Sequence, residues 1–365
     1  MAVRDYEAIF VGGGLAAMLL LRELEWGLSD RVAVIDPYPP LERPTVHWSY
    51  WSRVPTLYDR FAVGSWQKAR VAQMQAEPIA PYTLRLVRST DVFAHIAQEP
   101  KIASFEWLRT SARSVGRRED GTYEVDTDAG AVRAGWVFDS VPDIEPAFPA
   151  PHRPGAVLSG TGVRVTADRP VFEAAAATLF DPLDERSFAY LLPLSPDEAL
   201  LESATFDSAI QKEDETPLLL YLRSRYPGAT FAVTHAEHGH IPLGFAPSQT
   251  AGPRHVLLGT KRGLVKPSAR YGVVRMAGES KRLAGLWKED RPLPPSQRSS
   301  LRWWLLDMGF LQLAANDPRR PLALLRNVMH AIPLVQSLRF IDEELPPLQL
   351  AAVFRSALPA VLGRV

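Results

Sequence analysis

Residues 7–20 read EAIFVGGGLAAMLL, and residues 31–36 read RVAVID. The first apolar run, EAIFV, has no polar alternation, and it is followed at once by a glycine triplet and a helical stretch over 15–26. That order predicts a buried strand, a tight turn and a helix. RVAVI then predicts the second strand of a compact βαβ unit over residues 7–36. The turn Gly12-Gly13-Gly14 with Ala17 three residues on has the spacing of a dinucleotide fingerprint. Gly12 allows the turn, Gly14 lets the backbone approach a pyrophosphate, Ala17 permits close helix packing, and Asp36 stands where a ribose hydroxyl needs an acceptor.

Around this unit the 365 residues leave room for two domains, or for one large α/β unit with insertions, at ~100–200 residues per domain. Forty-one Lys and Arg balance forty-one Asp and Glu, so nothing global favours a nucleic-acid partner. Cysteine is absent, which excludes disulfides, thiolate catalysis and Cys-ligated metal, and a cytoplasmic setting fits. Charged residues precede the first apolar stretch and glycines break it, so no signal peptide is expected. No run reaches the ~18 apolar residues of a spanning helix. Yet 46% hydrophobic content with nine Trp and thirty-two Pro is generous, and it points to a large apolar ligand or peripheral contact with a membrane surface.

Residues 37–105 are rich in Pro and aromatics and are expected to form an irregular excursion over the cofactor, not a regular sheet. Residues 112–138 alternate polar and apolar around Asp120-Gly121 and Ala129-Gly130, which predicts a three-stranded meander. Strands at 162–166, 188–194 and 199–206 should build a second sheet. HVLLGT at 255–260 reads as the last strand of the first sheet, with VKPS at 265–268 opening another helix. From Pro292 the pattern is helical: Leu301, Trp304, Leu305 and Met308 mark one face, Trp303, Leu306, Phe310 and Leu313 a second, expected to form an apolar mouth.

Because the hairpin-rich insertion interrupts the βαβ unit before WVFD at 136–139, the pattern favours FAD over a freely exchanging nicotinamide. The expected fold class is α/β, a FAD-binding Rossmann-type domain with an inserted β-sheet substrate domain and a helical C-terminal region. The FAD-binding domain would be discontinuous, at 1–80, 105–150 and 250–290. The substrate sheet would take 81–104 and 151–249, and the helical region 291–365.

Several further stretches together resemble the flavin-dependent lycopene cyclases, relatives of the FAD-binding hydroxylases. They are VGGGLA at 11–16, HWSYW at 47–51, WVFDS at 136–140, DRPVFE at 168–173, FAYLLPL at 188–194, LLESATF at 200–206, EHGHIPLG at 237–244 and GTKRGLVKPSARYG at 259–272. FIDEELPPLQLAAVF at 340–354 also looks like the helical end of that family. The resemblance implies a non-redox ring closure on an acyclic, lycopene-like polyene. An acid protonates a terminal double bond, the next alkene attacks the cation, and a proton is lost. It implies reduced FAD, with NADPH as an external reductant, acting through charge without net electron transfer. It also implies a hydrophobic isoprenoid substrate and a cytoplasmic enzyme, peripheral on the inner face of a membrane.

On this resemblance Glu202 is the candidate general acid, in a segment where Ser203 replaces the family's second acid. An acid in an apolar strand would also be desolvated and keep its proton. Glu237 is the second candidate, to assist Glu202 or to orient the flavin. Gly259, Thr260, Lys266, Pro267 and Ser268 join Gly12, Gly13, Gly14, Ala17 and Asp36 as expected cofactor residues. Trp48, Tyr50, Trp51, Tyr190 and Phe206 are aromatics suited to a carbocation, though each also suits a core. Arg270, where relatives usually carry Gly, is expected to shape the substrate end. The histidines at 235, 238 and 240 do not suggest a metal, since strand alternation puts His238 and His240 on one face and His235 on the other. Rival readings are a cyclase of another prenylated compound, a flavin monooxygenase, a reductase of prenyl double bonds and a non-catalytic carotenoid carrier.

Overall fold

Strand Arg4–Val11 runs through the middle of a seven-stranded sheet, parallel to Val32–Ile35 on one side and to Gly130–Asp139 on the other. Its lack of polar alternation follows from cover on both faces. Ala8 and Phe10 pack with helix Leu15–Glu23, while Ile9 and Val11 pack with Tyr123, Val125 and Val137. In the computed structural model, residues 4–26, 31–141, 156–207, 210–244, 252–267, 272–294 and 300–361 are described. Glu106–Leu108 extends the sheet beyond Val32–Ile35, and His255–Leu257 pairs in parallel with the end of Gly130–Asp139. The meander is present as Ala112–Arg117, Tyr123–Thr127 and Gly130–Asp139, all antiparallel.

The second sheet has the order Phe231–Leu243, Ala156–Ala167, Glu198–Asp207, Ser187–Pro193, Ala177–Pro182, Lys68–Val71, Glu77–Pro78. A third sheet corrects the reading of residues 37–105 as irregular: His47–Ser52 and Ala62–Trp66 flank Thr83–Arg88. The prolines that suggested irregularity sit between strands, at Pro55 and Pro81, or on the edge strand that holds Pro78.

Two expectations about helices are also corrected. The helix read into 265–268 opens at Val273 and runs to Lys288, and residues 265–267 are loop. In helix Leu301–Asn316 the face expected to be an apolar mouth is the packing face. Trp303 and Phe310 are buried, and Phe310 meets Phe206 edge-on at 5.4 Å. Leu301, Trp304 and Leu305 are exposed instead. A helix that is apolar all round has no periodic signal to say which stripe faces the core.

Two buried ion pairs tie the loop after His255–Leu257 to its surroundings. Arg262, with a fully buried side chain, donates to Glu279 Oε1 at 2.7 Å and to the carbonyls of Leu257 and Pro294. Lys266 lies 2.9 Å from Asp307 and 3.2 Å from Glu343, with its ammonium 5.1 Å from the Trp303 ring. Removing one partner of such a pair leaves a buried charge uncompensated. Glu279→Gln is therefore expected to cost about 3–5 kcal/mol, read from the midpoint of denaturant unfolding, whereas the exposed pair Arg291–Glu289 should cost less than about 1 kcal/mol when broken.

Candidate active site

The glycine turn is built for close approach. Gly12 has φ +83°, and a Cβ there would lie 2.5 Å from Ser140 Oγ; a Cβ on Gly13 would strike the Trp107 ring at 2.5 Å. Gly14 faces open space, and the helix it starts has no side-chain cap and no acid in its first turn, so its first N–H groups are free to meet an anion. Ala17 is fully buried beneath it. Asp36 accepts the N–H of Gly13 and of Tyr38, each at 2.8 Å, and the guanidinium of Arg43. A carboxylate with about four lone-pair sites keeps one for a ribose hydroxyl. Gly259, with φ +55°, brings the following loop against Ala16. These residues fit the pyrophosphate and ribose of a dinucleotide.

From Gly14 and Leu15 a cavity of about 480 Å³ runs past Gly259 and Thr260 to the second sheet, a volume in the range of small-molecule sites. Its far wall is set by register. On the central strand Ala156–Ala167, Gly162 pairs with Glu202 on one side and with Glu237 on the other, and Tyr190 pairs with Glu202 one strand further out. Residues opposite one another in a ladder share a face. Tyr190, Glu202, Gly162 and Glu237 thus form one row. The next row is Ala204, Gly160 and Gly239, whose small side chains leave a trough. A Cβ on Gly162 would lie 2.7 Å from Glu237 Cγ, so the glycine makes room for the second carboxylate.

Glu202 is partly open, and what it opens onto is this cavity. Burial, reinforced by the charge of Glu237, pushes its carboxyl up to about 8, against a hydrogen bond from the Ser49 side chain that acts the other way. Glu237 is clamped by donors. The His47 N–H lies 3.1 Å from both its oxygens, His47 Nδ1 2.8 Å from Oε2, and His235 Nε2 3.1 Å from Oε2. The ligand atoms of His47, His235 and Glu237 all lie within 4.8 Å of one another, close enough to share a metal ion as well as a proton, a grouping that the strand alternation of the three later histidines did not reveal. His238 and His240 turn to the other side of the strand, to Thr161 and Ser159.

Of the aromatics singled out from sequence, Trp48 and Tyr190 line the cavity. Tyr50, Trp51 and Phe206 are corrections: all three are core residues. The Tyr50 hydroxyl donates to Asp59 at 2.8 Å, Trp51 belongs to the cluster beneath the second sheet, and Phe206 packs on Phe310. Lys266 is a further correction, since its ammonium is committed to Asp307 and Glu343, away from the cavity. Pro267 follows it in the same loop. Ser268 and Arg270 lie outside the described residues. Ser203 turns its hydroxyl to the Thr161 carbonyl, on the other face from Glu202. Sequence reasoning missed His47 and Ser49, which sit in the quoted HWSYW motif beside the aromatics that drew attention.

Residues 7–311 match the family model described as "Lycopene cyclase protein". No curated protein matches the chain by sequence. Among solved structures it is similar to a geranylgeranyl bacteriochlorophyll reductase-like protein of Thermoplasma acidophilum, at 12% identity and TM-score 0.61 over 100% of this chain and 99% of that one. A flavoprotein/dehydrogenase of Cytophaga hutchinsonii aligns at 10% identity and TM-score 0.62, over 99% and 100% of the two chains. The flavin-dependent brominase Bmp2 aligns at 16% identity and TM-score 0.57, over 97% and 93%. These likenesses show the Rossmann-type fold of flavoproteins.

A carboxyl raised by folding binds its proton more tightly in the native state, so its contribution to stability is complete below the ordinary Glu range and is lost as pH rises through about 8. Between pH 5 and 9 the protein should therefore lose stability relative to Glu202→Gln, by an amount on the order of a few kcal/mol, in denaturant titrations at each pH. Parallel curves for the two proteins would show that Glu202 titrates normally.

Proposed function

The chain belongs to the lycopene cyclase family, and we propose that it closes a six-membered ring on an acyclic isoprenoid polyene by proton transfer, without net oxidation. The observation that carries this reading is the row Tyr190, Glu202, Gly162, Glu237 at the end of a cavity that begins at the dinucleotide turn. Glu202 donates the proton. A carboxyl near 8 is protonated at neutral pH yet acidic enough to give its proton up. The proton adds to a terminal alkene carbon, positive charge forms on the tertiary carbon, and the neighbouring double bond attacks it. The ring then gives up one proton to water in the cavity, which carries it away, so the product is neutral and isomeric with the substrate and Glu202 is left as a carboxylate.

The chain's own groups suit each part of this sequence. Trp48 and Tyr190 line the cavity with aromatic rings, whose π systems suit a cation, and the trough of Gly160, Ala204 and Gly239 admits the end of a branched chain. Glu237 supplies the second carboxylate of the site where Ser203 does not. FAD would be held by the turn at Gly12, Gly13 and Gly14, by Asp36 and by the loop at Gly259 and Thr260. In its reduced form, with NADPH as external reductant, FAD held there would supply negative charge that stabilises the developing cation.

Among the described residues no helix is long and apolar enough to cross a membrane. We place substrate exchange at the exposed Leu301, Trp304 and Leu305, on a peripheral contact from the cytoplasmic side.

Three outcomes are expected. Substrate and product should be isomers, with solvent deuterium carried into the new ring, by mass spectrometry in deuterated buffer; a gain of two hydrogens or of oxygen would move the assignment to a reductase or a monooxygenase. Glu202→Gln should lower turnover on the order of 10²-fold or more while FAD retention, read by absorbance, is unchanged. In liposome flotation the wild type should float and a Trp304→Ser, Leu305→Ser variant should float less.

A further inference from the structure

Every turnover that begins at Glu202 leaves a carboxylate that must be reprotonated, and the cavity is lined mainly by apolar groups and backbone. Its polar side chains include Ser49, which donates to Glu202, and the group clustered around Glu237. His235 is about a third exposed at its side chain, on the edge strand Phe231–Leu243, whereas His47 and Glu237 are 2% and 10% exposed. His235 Nε2 and His47 Nδ1 both contact Glu237 Oε2, at 3.1 and 2.8 Å. The two imidazole rings stand 5.5 Å apart and edge to face. His47 and Glu237 line the cavity that Glu202 lines. His47 Nε2 is buried and has no hydrogen-bond partner among the described residues, and a buried ring nitrogen in that state calls for a water or a ligand group.

We propose that His235, Glu237 and His47 form the route by which a proton from solvent returns to Glu202. The proposal rests on Glu202 as proton donor and adds how it is recharged. His235 takes a proton from solvent and passes one to Glu237 Oε2. Glu237, or His47 through its inner nitrogen, passes one to water in the cavity, and that water protonates the Glu202 carboxylate. Each relay group gains one proton and loses one, so the net change is one proton moved from solvent to Glu202. The order of exposure along the route, from a partly open imidazole to a buried carboxylate to a buried imidazole on the cavity, is that of a path inward. Gly162 belongs to the same device, since its missing side chain is what lets Glu237 stand in the Glu202 row. The three residues act through Glu202 and are positioning residues.

The test is the rate at which the protonated Glu202 carboxyl exchanges with D₂O, followed through its carbonyl stretch by infrared spectroscopy on protein without substrate, with Glu202→Gln identifying the band. His235→Gln and Glu237→Gln are each expected to slow this exchange roughly tenfold or more. His235→Ala should slow it likewise and regain speed on addition of imidazole, which a structural role would not produce. Circular dichroism checks folding, which substitution at a partly exposed edge position should preserve. Exchange as fast as wild type in both Gln variants would overturn the proposal. So would one equivalent of tightly bound zinc in the purified protein, which would make the cluster a metal site. Because no substrate is present, a failure of ring closure would leave this measurement readable, and a failure here would leave ring closure standing.

Discussion

The pairing register of strand Ala156–Ala167 is the constraint on which the rest of the site depends. Side chains alternate along a strand, so a slip of one residue against either neighbour would send Glu202 or Glu237 to the opposite face. Register here is held on both sides by apolar rows. Val163 and Val165 pair with Leu201 and Ala199 over the cluster that includes Leu218 and Leu222, while Leu158 pairs with Phe206 over the cluster that includes Phe310. The carboxylates face one another because the hydrophobic residues around them permit no other alignment. Their placement is a consequence of packing, and the raised acid follows from it, first through burial of Glu202 and then through the charge of Glu237.

The parts of the fold that could be read from sequence were those with short-range signals. The βαβ unit at 7–36 combined a run length, a glycine turn and an acid at a set distance, and the meander carried two turn dipeptides. The sheet at 47–88 was not legible, because its strands are aromatic-rich and separated by prolines, and single-chain pattern reading cannot tell such a segment from an ordered loop. For Tyr50, Trp51 and Phe206 the difficulty was different. A large aromatic in a strand satisfies a core and a polyene tunnel equally, and only tertiary placement separates them. Lys266 stood in a motif near the cofactor loop, yet its partners Asp307 and Glu343 are 41 and 77 residues away, beyond any local signal.

The candidate acid was legible through resemblance and through its apolar neighbours, whereas its environment was not. Nothing in the sequence joins His47 to Glu237 across 190 residues, and the glycine between the two carboxylates is unremarked until the register is known. The row also bears on the absence of a second acid next to Glu202. Position 203 lies on the other side of its strand from the Glu202 row, so an acid there could not join that row, and the carboxylate partner comes from a different strand. The chain shares its fold with proteins named as reductase-like, dehydrogenase and brominase, so the fold by itself leaves the reaction open.

The parallel pairing of His255–Leu257 with Gly130–Asp139 has a consequence for how the chain comes to be folded. The first sheet begins with residue 4 but lacks its last strand until residue 257 has left the ribosome, and between those two events all strands of the second sheet are synthesised, five of them from Ala156 to Leu243. With synthesis at about 5–20 residues per second, the half-built sheet spends several seconds with Val137–Asp139 unpaired on one side. Antiparallel pairing in the second sheet is more local, so it is placed to form before the first sheet is complete. Aggregation during expression should therefore respond to chaperone supply more than to the stability of the finished protein.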